Sequence, residues 1–208
     1  MTASTLTTTF DPLFRKYSQT VPVSFLRALA KKESNFNPND SRPPAYGLLQ
    51  LTQTVVDSYN KDHGTSYTLY DTLNPDLNVK LGVGLLERIA KAYAKHPSSN
   101  MRPNWRNPEF VKLVLAGWNS GYSEGGGVGK VASYLEARGM PVTHDNVFAY
   151  ASSAGATSHL QNTAKQNWQR SVSDLYFAQP YDGPGGGFLL KAAIAIGAGL
   201  LLSRYVFR

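Results

Sequence analysis

Apolar residues recur at helical spacing along most of the chain. Pro22 stands at a first helical position, and after it Leu26, Ala30 and Glu33 fall on one face, widened by Phe25 and Leu29. Leu48, Leu51, Val55 and Tyr59 predict a second helix face, and Val79, Val83, Leu86, Ile89 and Tyr93 a third. Asn107 and Pro108 read as the N-cap and first position of a fourth, followed by Val111, Val114, Leu115 and Trp118. Val128, Val131, Ala132 and Leu135 continue the pattern until Gly139 stops it. Leu160, Ala164, Trp168, Val172 and Leu175 predict a longer last helix. No alternating strand stands out, so the expected fold class is mainly α, an irregular helical domain with long loops.

One break in composition organises the chain. The run DGPGGG, Asp182 to Gly187, reads as a flexible hinge between a single domain over residues 1–181 and a tail over residues 188–208. The tail stretch Phe188 to Phe207 is interrupted only by Lys191, Ser203 and Arg204. As a helix it would be about 30 Å long, enough to cross a bilayer core, with the basic residues snorkelling near its ends. The competing expectation is a hydrophobic helix packed on the domain or on a partner subunit, which Ala195, Gly197 and Gly199 would also suit. The opening MTASTLTTTF lacks the basic and apolar runs of a secretory signal peptide.

Composition narrows the chemistry. The 208 residues, 42% hydrophobic, suffice for one cored domain. The absence of cysteine excludes disulfides, thiolate nucleophiles and cysteine-ligated metals. A formal charge of +7 favours an anionic partner: cell-wall polymer, membrane surface or nucleic acid. His63, His96, His144 and His159 stand far apart with no His-Glu-x-x-His spacing, which argues against a zinc amidase or peptidase. Gly125 to Lys130, GGGVGK, is similar to a phosphate loop but lacks the preceding strand and the following Ser or Thr; it reads as a mobile lip of a cleft. No cofactor and no metal are expected.

Glu33 lies where an apolar helical stripe runs out, so its carboxyl is expected to point inward, with a pKa raised by partial burial. A protonated carboxylic acid at neutral pH is what glycosidic cleavage needs. An isolated Glu beside Lys31 and Lys32 is more often a solvated charge, but the surrounding residues add to the case. Glu33-Ser34 is followed by a helix stop, Asn35-Phe36-Asn37-Pro38, and then by Tyr46-Gly47-Leu48-Leu49-Gln50. Next in order come Asn74-Pro75 with Asn78 and Gly82, then Ala116-Gly117-Trp118-Asn119-Ser120-Gly121, then Phe148-Ala149-Tyr150.

This ordered set, within residues 10–150, resembles the soluble lytic transglycosylases, whose domain is lysozyme-like; residues 157–178 would be a helical extension. The resemblance implies that Glu33 protonates the glycosidic oxygen between N-acetylmuramic acid and N-acetylglucosamine, then acts as base on the muramyl C6 hydroxyl to close a 1,6-anhydro ring. It also implies substrate contacts for Ser34, Tyr46, Gln50, Asn119 and Tyr150, with the Tyr150 hydroxyl touching the catalytic carboxyl. Each has a structural alternative: a helix-end bond for Ser34, a loop bond for Gln50, a C-cap for Asn119 and core packing for Tyr150. Gly47 suits a close backbone approach, and Trp118 is either a sugar platform or core. Trp118 and Ser120 depart from the family's usual Tyr and Ala, which puts substrate contacts there in doubt.

Two other functions fit the same residues. A goose-type lysozyme would share the helical fold and Glu33 but needs a carboxylate to hold water, for which Asp40, Asp57, Asp62 and Asp71 are available. A basic structural virion protein could keep the fold without activity. The expected partner is peptidoglycan, with membrane, partner-helix or virion contacts through Phe188 to Phe207 and no specific nucleic acid. The expected setting is a phage virion opening the wall for genome entry, or a membrane-anchored enzyme of the bacterial envelope.

Overall fold

The computed structural model describes residues 6–183. These are mainly helical: α1 Asp11–Tyr17, α2 Val23–Ser34, α3 Gln53–His63, α4 Pro75–Tyr93, α5 Pro108–Ser120, α6 Val128–Glu136, α7 His144–Tyr150 and α8 Thr163–Phe177. The capping chemistry explains the helix starts. Asn74, Asn107 and Asn162 each turn a side-chain oxygen onto a backbone N–H of the following first turn, at 2.9, 3.0 and 3.1 Å, opening α4, α5 and α8. Pro75 and Pro108 then occupy first positions, where no N–H is needed.

The core forms around α5, which packs against α4 and α8, while α2 lies on α8. Phe25 of α2 joins these layers, with its ring 4.8 Å from Trp105 and edge-on at 5.6 Å to Tyr176 of α8. Gly117 lets α4 and α5 approach: a Cβ there would stand 2.4 Å from the Tyr93 hydroxyl, which donates to the Leu113 carbonyl.

The expected helix over Leu48 to Tyr59 is corrected in its first half. α3 starts only at Gln53, and before it runs a small antiparallel sheet of β1 Ser41–Arg42, β2 Ala45–Tyr46 and β3 Leu51–Thr52. Ala45 pairs with both Arg42 and Thr52. The backbone is left-handed at Gly47 (φ 81°) and at Gln50 (φ 48°), which no continuous helix allows. Leu48 and Leu49 are fully buried all the same, so their apolar spacing reports burial from a turn. Two-residue strands are too short for an alternating pattern to show.

Two further expectations change. The loop from Gly121 to Lys130 is tied down: Val128 N–H donates to the Gly121 carbonyl, Gly127 N–H to Ser123, and Thr157 N–H to Gly126. Glu124 adds bonds to His96 and Ser133. Asp182, the first residue of the expected hinge, is held on the domain: its carboxylate accepts from the N–H and hydroxyl of Ser24 at 2.8 and 2.7 Å and pairs with Arg27 at 3.3 Å, at the N-terminus of α2. The tail Phe188 to Phe207 lies outside the described residues. Among those described, no helix is long and apolar enough to cross a membrane.

Candidate active site

Glu33 occupies the last turn of α2, which Asn35 ends in a left-handed conformation (φ 54°). Its half-buried side chain reaches a cleft of about 530 Å³ lined also by Gln50, Thr52, Trp118, Asn119, Lys165 and Trp168. Desolvation pushes the Glu33 carboxyl up to about 7; a hydrogen bond from Trp118 and the nearby charge of Arg42 oppose this without cancelling it. The Trp118 indole N–H donates to Glu33 Oε1 at 2.7 Å. The Arg42 guanidinium bonds the backbone carbonyl of Glu33 and is held in turn by Asp40, Nε to Oδ1 at 2.9 Å. The acid is therefore oriented by one neutral donor and half protonated near neutral pH, the state a general acid requires.

The loop facing Glu33 hangs on two buried polar side chains. Ser34 donates to the Leu48 carbonyl at 2.8 Å, tying the end of α2 to the loop. Asn78 of α4 accepts from Leu49 N–H at 2.8 Å and donates to the carbonyls of Tyr46 and Thr72 at 3.0 and 2.9 Å. Gly47 makes room for this clip, since a Cβ there would lie 2.2 Å from Asn78 Nδ2. Gln50 Nε2 then donates to the carbonyls of Asp40 and Gly47, at 3.0 and 2.9 Å, and fixes its own turn.

Of the residues singled out from sequence, Glu33, Gln50, Trp118 and Asn119 come together in the cleft. Ser34 is buried and bonded to Leu48, away from the lining. Tyr46 lies in β2, outside the lining, with its carbonyl engaged by Asn78. Tyr150 does not bond the Glu33 carboxyl as expected: its ring packs 6.4 Å from Tyr134, where α7 meets α6, and Trp118 is the donor instead. No residue from Gly121 to Lys130 lines the cleft, so that loop is not its lip.

Sequence reasoning missed Lys32, Arg42, Thr52, Lys165 and Trp168 as lining residues, and Trp118 as the partner of Glu33. For Trp118 a signal was present: it replaces the motif's usual Tyr, and an indole brings an N–H donor. Lys165 and Trp168 come from α8, which no motif marked.

Residues 13–139 match the family described as Transglycosylase SLT domain. The membrane-bound lytic murein transglycosylase F of Pectobacterium atrosepticum is 26% identical over 54% of this chain and 20% of its own length. That of Vibrio campbellii is 31% identical over 54% of this chain and 18% of its own. The chain thus spans about a fifth of these relatives. The fold is shared with the 70-kDa soluble lytic transglycosylase SLT70 of Escherichia coli, with a TM-score of 0.54 at 18% identity, over 82% of this chain and 24% of that one. The complex of the 70-kDa soluble lytic transglycosylase with bulgecin A gives 0.53 at 19% identity, with the same coverage.

Proposed function

The chain belongs to the Transglycosylase SLT domain family, and from that membership we propose that it is a peptidoglycan lytic transglycosylase with Glu33 as its acid and base. One observation carries the reading: among the described residues, Glu33 is the only acid lining the cleft. The carboxylates available to a hydrolytic lysozyme lie elsewhere, with Asp57 bonded to Gln53, Asp62 to Arg88 and Asp71 to Thr68. Asp40 is held by Arg42. A lone carboxyl can complete the reaction when the substrate supplies the nucleophile.

In this mechanism protonated Glu33 gives its proton to the oxygen between muramyl C1 and N-acetylglucosamine, and the C1–O bond breaks. The resulting carboxylate takes the proton of the muramyl C6 hydroxyl, and O6 bonds to C1. The anhydro ring closes, Glu33 is again protonated, and no water is consumed. Trp118 keeps the same oxygen of Glu33 engaged while the proton moves. Mass spectrometry of digested peptidoglycan tests the reading: 1,6-anhydromuramyl products are expected, and reducing-end muramic acid alone would replace it with hydrolysis.

The pH profile is a second check. With Glu33 near 7, kcat/KM is expected to fall on the alkaline side as the carboxyl ionises. The Trp118 bond favours the carboxylate, so Trp118→Phe should move that alkaline limb to higher pH. A limb moved to lower pH would mean the indole does not stabilise the charged form.

We extend the proposal to an envelope or membrane setting, supported by the hydrophobic stretch Phe188 to Phe207 and by the membrane-bound relatives. Its finer form is wall opening by a phage virion during genome entry. The full chain is expected to fractionate with membranes and a truncation after Gly183 to be soluble; identical solubility of the two would remove the anchor.

A further inference from the structure

We infer that α8 fixes the side-chain amide of Asn119 with its N–H group turned toward the cleft, so that Asn119 meets the substrate as a hydrogen-bond donor. The inference rests on the reading of this cleft as the glycan site. Three contacts from two helices build the arrangement. Gln169 Nε2 of α8 donates to Asn119 Oδ1 at 3.2 Å, and Gln169 Oε1 lies 2.7 Å from His144 Nε2 of α7. One turn earlier on α8, Lys165 donates to the Asn119 backbone carbonyl at 2.9 Å. His144 and Gln169 are both fully buried, so neither can exchange these partners for water.

The orientation follows from counting donors and acceptors. Burial lowers the pKa of His144 and favours the neutral ring. Its Nδ1 lies a long 3.4 Å from the exposed Asp145 carboxylate, whose same oxygen Arg170 holds at 2.6 Å, whereas Nε2 lies 2.7 Å from the buried Gln169 Oε1, so the single N–H sits on Nε2. Gln169 receives that proton on its oxygen and has only its NH₂ left for Asn119. An NH₂ must be met by an oxygen, so Asn119 turns Oδ1 to α8 and leaves Nδ2 as its free end. Asn119 lines the cleft, and the strongest neutral acceptor on a glycan of N-acetylated sugars is the acetamido carbonyl. His144 and Gln169 are thus positioning residues acting through Asn119. All of α8 lies beyond residues 13–139, the part that matches the family.

The test is Gln169→Glu, measured above the pH at which its buried carboxyl ionises, where it keeps the shape but offers only acceptors to both neighbours. One carboxylate oxygen still receives the His144 N–H; the other can be satisfied only if Asn119 turns over and donates. The Asn119 side-chain N–H protons, identified in NMR spectra by their loss in Asn119→Asp, are expected to exchange rapidly with water in the wild type. In Gln169→Glu their exchange should slow about tenfold or more, and kcat/KM on glycan strands should drop by about tenfold or more. Protons already protected in the wild type, or unchanged in the variant, would overturn the inference. Should Gln169→Glu not fold, Asn119→Asp keeps the Gln169 bond and removes only the donor; wild-type activity there would equally overturn it. The exchange measurement stands even if the protein cleaves no peptidoglycan, so failure of the orientation and failure of the proposed function are told apart.

Discussion

Glu33→Gln is expected to reduce release of anhydromuramyl products by roughly a thousandfold or more, because one group supplies both proton transfers and glutamine supplies neither. The same substitution should make the protein more stable at alkaline pH. In the fold the Glu33 carboxyl titrates at about 7 instead of its ordinary 4.5, so its neutral form is favoured. A carboxyl raised in this way contributes fully below its unfolded pKa, and that contribution is lost as pH rises through the folded value. At pH 8 the wild type therefore carries a desolvated charge costing about 3 kcal/mol that the variant lacks. Thermal melts of both proteins at pH 4 and pH 8 check this, the gap being expected only at pH 8. Retained activity in Glu33→Gln would remove Glu33 from the mechanism, and equal alkaline stability would mean that its carboxyl is solvated.

Asn78→Ala should cost more stability than any other single change to the loop opposite Glu33. Asn78 is fully buried and serves three backbone groups at once: Leu49 N–H and the carbonyls of Tyr46 and Thr72. Removing it leaves these groups without partners in a dry site, a loss of about 3–5 kcal/mol after allowing for partial relaxation. Activity should fall with stability, because Gln50 and Thr52 are placed by the backbone that Asn78 holds. Asn78→Asp retains the acceptor for Leu49 but turns a buried carboxylate oxygen onto the Tyr46 and Thr72 carbonyls, and should cost about as much. Denaturant unfolding together with glycan cleavage measures both effects. Wild-type stability in Asn78→Ala would show that the loop is held by Ser34 and the packing of Leu48 and Leu49 alone.

Both experiments concern features that differ in how far the sequence revealed them. Glu33 could be located because a helical stripe ended at a carboxylate followed by a helix stop and an ordered set of motifs. The helix caps at Asn107 and Pro108 were legible for a similar reason: the side chain and the backbone group it satisfies are two residues apart. Asn78 was marked by its motif, but the carbonyl of Tyr46 that it serves is 32 positions away, and no local pattern announces such a bond. The strands were hidden because two-residue segments show no period, and the positive φ at Gln50 gave no residue-type warning.

The amino-acid order by itself pointed to the helical class, the start of α5, and Glu33 as the candidate acid near the end of α2. These depend on contacts within a few residues, where periodicity and capping act. Tertiary structure decided what surrounds that acid. It brought Trp118 onto Glu33 across 85 positions, sent Tyr150 to Tyr134, and turned Gln169 toward Asn119 across 50. The elevated pKa of Glu33 belongs to that second group, since desolvation is a property of everything packed around the carboxyl and of no stretch of chain alone.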